Sequence, residues 1–177
     1  MKHPPALLSL GLLVALGACG KADDGAVPRF DESSCPFKLH SSQVQGQSVR
    51  CGALVARLDR ADAASPTIRV PVVIFLSKTP AGAPVIQLSG GPGQSWGDLG
   101  LENLALTSTT NLTRDLVFIE QRGTGLSSPA LQCPEFDQPN ATEAAALQQC
   151  QKRLSDAGQR PAAYHTRALA ADVADLA

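Results

Sequence analysis

Aromatic residues are scarce, at 4% of the 177-residue chain, with one tryptophan and one tyrosine. So few rings exclude a surface of stacked aromatics of the kind that holds single-stranded nucleic acid. Charge of one sign is equally lacking. Fifteen basic residues stand against sixteen acidic ones, a formal net charge of −1, and no basic stripe runs along the sequence, so nucleic acid is not indicated as a partner. Three histidines and no close Cys-x-x-Cys pair leave little with which to build a zinc site. No Gly-Lys-Ser/Thr follows the one glycine-rich stretch, which removes phosphate binding of the Walker type. No metal or cofactor is expected. Long apolar runs reduce to one, residues 6–18, shorter than the ~20 residues a membrane-spanning helix needs.

That run, behind Lys2, suits the apolar part of a signal peptide over residues 1–18. It ends at Leu16-Gly17-Ala18-Cys19, which resembles a bacterial lipobox and implies that Cys19 becomes the lipidated first residue of the mature protein. The alternative is ordinary cleavage after Ala18. Gly20 behind the cysteine favours the outer membrane, facing the periplasm, and residues 20–34 are small and polar enough for a tether. Export permits disulfides. With Cys19 anchored, Cys35, Cys51, Cys133 and Cys150 remain, and four cysteines allow three pairings. Proximity favours Cys35–Cys51 and Cys133–Cys150. Residues 19–49 then form the tether and a disulfide-closed lead-in, and residues 50–177 suit one domain.

The stretch Ser89-Gly90-Gly91-Pro92-Gly93 organises that domain. Three glycines in four positions are costly to order, so they belong where the backbone takes unusual angles or comes close to a ligand. Upstream, alternation over 67–77 places Ile68, Val70, Val72, Ile74 and Leu76 on one strand face, with Val73 and Phe75 on the other. Pro71 inside this run suggests an edge position or a bulge. Residues 52–58 supply its antiparallel partner. A short strand over 84–89 enters the glycine stretch, a helix is expected over 99–106, and Leu116-Val117-Phe118-Ile119 reads without alternation, as a strand buried on both faces of a parallel sheet does. Strand, loop, helix and strand make a right-handed βαβ unit, with the loop where α/β sheets place ligands. Further on, Asn140 with Glu143 predicts a helix start, Leu147, Cys150 and Leu154 share its inner face, and Gly158 stops it. A last helix, capped by Thr166, aligns Leu169, Val173 and Leu176, with Asp172 on its surface and His165 as a capping or surface residue.

Four features converge: the antiparallel pair, the strand entering Ser-Gly-Gly-Pro-Gly, the strand entering Glu120-Gln121-Arg122-Gly123-Thr124-Gly125, and Tyr164-His165-Thr166 opening a helix. Together they resemble the proline iminopeptidase and tripeptidyl aminopeptidase group of α/β-hydrolases, from about residue 50 onward. Ser89 stands where many members carry His, and Glu120 where Asp is commoner. The resemblance implies an α/β class, the N-terminal part of an α/β-hydrolase fold, with an antiparallel pair leading into parallel βαβ units and an incomplete sheet. It implies that Gly91, with Gly90, donates backbone N–H groups to an oxyanion, while Gly93 allows close approach and Pro92 holds the turn rigid. A tight turn without a ligand is the plainer alternative. Glu120 and Arg122 either shape the site floor or form an ion pair bracing the two loops.

A nucleophile elbow, Gly-x-Ser-x-Gly directly behind a strand, is missing. Gly93-Gln94-Ser95-Trp96-Gly97 has the spelling without the strand, so Ser95 is a poor nucleophile candidate. His40 and His3 are poorer bases. The expectation is therefore the N-terminal portion of an exported serine hydrolase or aminopeptidase acting on peptide amide or ester bonds, inactive alone, with serine, acid and histidine beyond Ala177. An unpaired sheet edge then predicts poor solubility. The alternative is a non-catalytic, lipid-anchored, disulfide-stapled binding or structural lipoprotein, held at the membrane through Cys19.

Overall fold

The computed structural model describes residues 26–91, 93–99 and 112–177. Five strands form one sheet: β1 (Arg29–Glu32), β2 (Val49–Arg57), β3 (Thr67–Phe75), β4 (Val85–Gln87) and β5 (Leu116–Ile119), in the order β1-β2-β3-β5-β4. Two helices follow β5, α1 (Glu143–Asp156) and α2 (Thr166–Ala174).

The fold class expected from the sequence is corrected here. Three of the four strand pairings are antiparallel (β1·β2, β2·β3 and β3·β5), and only β4·β5 is parallel. A mixed, mostly antiparallel sheet with, among the described residues, two short helices is not the parallel βαβ arrangement of an α/β-hydrolase. The misreading has a physical source. The unalternating run Leu116–Ile119 is buried at every position, as expected, but burial on both faces says nothing of strand direction. The expected helix over 99–106 lies, from residue 100 on, outside the described residues.

The strands' own sequences explain their pairing. In β3, Ile68, Val70 and Val72 join Leu54, Ala56, Val117 and Ile119 on one face, while Val73 and Phe75 join Val49, Cys51, Leu116, Phe118 and Trp96 on the other. That is the alternation the sequence carries. Phe37 and Leu39 of the lead-in cover the second cluster; Tyr164, Val173 and Leu176 cover the first. Pro71 sits opposite Ala53 in a strand with neighbours on both sides, not at a sheet edge. Its carbonyl accepts from Glu120 N at 2.8 Å, so its own nitrogen also faces the β5 side, where β5 has just ended at Ile119. The missing donor therefore costs the β2 ladder nothing.

β1 falls inside residues 20–34, expected to be a tether. It docks because position 52 is glycine: a Cβ there would lie 2.4 Å from Asp31 O and 2.6 Å from Phe30 Cζ. Both expected disulfides are present. Cys35–Cys51 fastens the lead-in to β2, and Cys133–Cys150 fastens α1 to the preceding short 3₁₀ turn, Pro134–Asp137. The cap of α1 is Thr142, whose hydroxyl accepts from Ala145 N at 3.3 Å, rather than Asn140, which turns the chain at φ 64°. Leu147 is 46% exposed; Ala146 and Cys150 form the inner face instead. Gly158 ends the helix as expected, at φ +73°. His165, not Thr166, caps α2, its Nδ1 accepting from Ala168 N at 3.2 Å.

Candidate active site: the cavity between two glycine loops

Because β4 and β5 run parallel, the segments leaving them, 88–97 and 120–128, emerge on the same side and meet. Gln121 Nε2 donates to Ser89 O at 2.8 Å, and Ser95 Oγ donates to Glu120 Oε2 at 2.6 Å. Glu120 is fully buried. Its other oxygen accepts from Thr124 Oγ1 at 2.8 Å and from Gln121 N at 3.2 Å. A carboxyl group withdrawn from water needs such donors, since an unmatched one costs several kcal/mol (about 2–7 for a neutral polar group, more for a charge). No basic side chain pairs with it among the described residues. Gly125 makes this closeness possible: at φ +46°, a Cβ would meet Ser95 Oγ at 2.3 Å and Glu120 Oε2 at 2.5 Å.

The expected ion pair between Glu120 and Arg122 does not form. Arg122 turns to the α2 side and binds Asp172 through two parallel hydrogen bonds, both 2.7 Å. Its remaining nitrogen donates to Leu58 O and Ala163 O, each at 2.9 Å. Asp172 is fully buried, not on the helix surface as expected, and it also accepts from Arg60, which reaches Asp175 as well. Arg122 is thus a strut joining the β5 exit to the end of β2, to the 3₁₀ turn Pro161–Ala163 and to α2. Asp172 stands three residues from Leu169 and four from Leu176, at the spacing of the inner face, but a lone carboxylate there reads as a surface group because its partner Arg122 is 50 positions away.

Between the two loops lies a cavity of about 550 Å³, walled by Phe37, Gly93, Trp96, Thr124, Leu126 and Leu131. Of the expected oxyanion loop, only Gly93 (φ +80°) stands on that wall; Gly90 and Gly91 (φ +75°) are exposed beyond it, and Pro92 lies outside the described residues. Phe37 meets Trp96 edge to face, ring centres 6.1 Å apart. Two buried polar atoms here, Ser89 Oγ and Trp96 Nε1, have no hydrogen-bond partner among the described residues. Sequence reading did not single out Trp96 or Thr124. The sequence shows the spelling around Ser95, but the bond to Glu120 joins residues 25 positions apart and leaves no local signal.

Ser95 is not set up as a nucleophile. Its oxygen donates to a carboxylate and accepts from Gly97 N at 3.0 Å, and no histidine contacts it among the described residues. A Ser–His contact does occur between Ser42 Oγ and His40 Nδ1, at 2.8 Å, but both are exposed and Ser42 N also donates to that nitrogen, at 3.2 Å, as part of a local turn. No carboxylate orients His40 among the described residues. Cys133, Glu135 and Cys150 bring three ligand atoms within 4.8 Å of one another. Their two sulfurs are joined in a disulfide and Glu135 receives Arg153 Nε at 2.6 Å, so the oxidised cluster is a brace, not a metal cradle.

No family model and no curated protein matches the chain. Cys19 lies outside the described residues, and among those described no helix is long and apolar enough to cross a membrane.

Proposed function

We propose that the glycine loop is the oxyanion-binding wall of a hydrolase site for peptide amide or ester bonds, with serine, acid and histidine supplied from outside the described residues. The reading concerns the chemistry of the loop and not the α/β-hydrolase architecture. The observation that carries it is the loop's geometry: Gly91 and Gly93 at positive φ, on a backbone tied down through Ser89 and Ser95, with Gly93 on the wall of a cavity. Fixed backbone donors stabilise a developing oxyanion because they need no reorganisation when the charge appears. Gly91, backed by Gly90, is the donor in this reading, and Gly93 sets the turn. Glu120 holds the floor, and Arg122 holds the frame.

We infer further that the chain is exported and held at the membrane by lipid on Cys19. Two disulfides support this, since they persist in oxidising compartments. A second reading, a non-catalytic lipid-anchored binding module, draws on the engaged Ser95 and on the cavity itself.

The natural gene product, assayed on aminoacyl p-nitroanilides and p-nitrophenyl esters, tests the choice. Turnover is expected, with kcat reduced about 10²–10³-fold by Gly91→Ala and KM changed far less. A fluorophosphonate probe is expected to leave Ser95 unlabelled. Absence of turnover, or an unaltered kcat in the variant, overturns the hydrolase reading in favour of the binding module. Labelled palmitate should enter the wild type and not Cys19→Ala.

A further inference from the structure

Ten arginines stand in the sequence, and eight of them, from Arg29 to Arg153, are held by carboxylates or main-chain carbonyls. The other two, Arg160 and Arg167, are exposed and have neither ion pair nor side-chain hydrogen bond among the described residues. Both line one cavity of about 520 Å³, separate from the glycine loops, which Arg60 and His165 also line. Two unpaired cations facing one concavity repel each other, and an anion between them turns that repulsion into attraction.

We propose that this cavity is a binding site for a phosphoryl group. Arg60 is fixed in place by Asp172 and Asp175, so it offers a positioned donor rather than net charge. Asp59 is the acidic residue on the wall, and one of its oxygens already accepts from Ala61 N at 3.0 Å. Arg60, Arg160 and Arg167 on the wall and Arg122 behind it carry four positive charges against the three negative charges of Asp59 on the wall and of Asp172 and Asp175 behind it, an excess of one. His165 adds a donor even when neutral: its Nδ1 accepts from Ala168 N, so the ring proton sits on Nε2. Three guanidinium groups and an imidazole N–H offer more donors than one carboxylate accepts. The oxygens of a phosphate match them, and arginine forks suit that geometry. The phosphoryl group belongs either to a soluble phosphate ester or to an anionic lipid headgroup.

Inorganic phosphate titrated into the full chain, followed by the imidazole NMR signals of His165, decides the matter. A saturable shift is expected, with the apparent Kd raised at least tenfold in Arg160→Gln/Arg167→Gln and partly restored in Arg160→Lys/Arg167→Lys. Both side chains are exposed, so the unfolding midpoint of the glutamine variant should match the wild type, which separates lost binding from lost folding. Binding to phosphatidylglycerol over phosphatidylcholine vesicles that disappears in the glutamine variant identifies a headgroup; phosphate binding without vesicle preference identifies a soluble ester. No saturable His165 shift at millimolar phosphate, or equal affinity in the variant, overturns the site.

Discussion

Glu120 holds two loops with three hydrogen bonds and, among the described residues, no counter-ion, so the carboxyl and its donors depend on one another. Removing the carboxyl in Glu120→Ala strands the buried Ser95 hydroxyl, while Thr124 Oγ1 keeps Gln121 O at 2.9 Å, and an unsatisfied buried group costs about 1–3 kcal/mol. Gly125→Ala should cost a similar amount, because backbone at φ +46° is strained for alanine and the new Cβ falls on Ser95 and Glu120. Urea denaturation checks both. If the two loops are one unit, the double variant loses less than the two single losses added together. Full additivity would count against a shared hub. None of this was legible locally: Glu120 and Arg122 look like a pair two residues apart, yet they bind opposite sides of the structure.

At the level of elements, the buried Arg122–Asp172 pair ties α2 to the sheet. Breaking such a pair leaves an uncompensated buried cation, and Asp172→Ala is expected to destabilise by about 3–5 kcal/mol. Hydrogen exchange should rise most in α2 and in the segment after β5. Unchanged stability would show that α2 is held by Val173 and Leu176 alone. Sequence reading found both helices, the β3 alternation and both disulfides, because each has a signal within a few residues or closes a short loop. It missed β1, whose four residues dock only because Gly52 leaves room on the strand opposite.

For the whole molecule, pH exposes which charges matter. Hydrogen bonds from Arg69 and then Arg29 hold Asp31 below its ordinary 3.8, and Arg153 holds Glu135 below 4.5. A carboxylate whose folded pKa is depressed contributes fully above its ordinary value and loses that contribution as pH falls through the folded one. Burial pushes the Tyr164 phenol above 10.0, against the opposing pull of Arg122. Its neutral form is favoured in the fold, so that contribution is complete below 10.0 and is lost as pH rises. The thermal midpoint should be flat through neutrality, fall below 4.5 and fall again above 10.0. In Glu135→Gln the acid limb should shrink; an identical limb would remove this pair from the account.

The sequence by itself determined what depends on neighbours in the chain: strand faces from alternation, helices from apolar spacing and a glycine stop, and short-range cysteine pairing. Strand direction was beyond it. A strand covered on both faces reads the same whether its neighbours run with it or against it, and β5 has one of each. Only the tertiary structure decided that Glu120 binds Ser95, that Asp172 is buried, and that Arg160 and Arg167 face one cavity, because each depends on which surfaces meet after the chain has closed on itself.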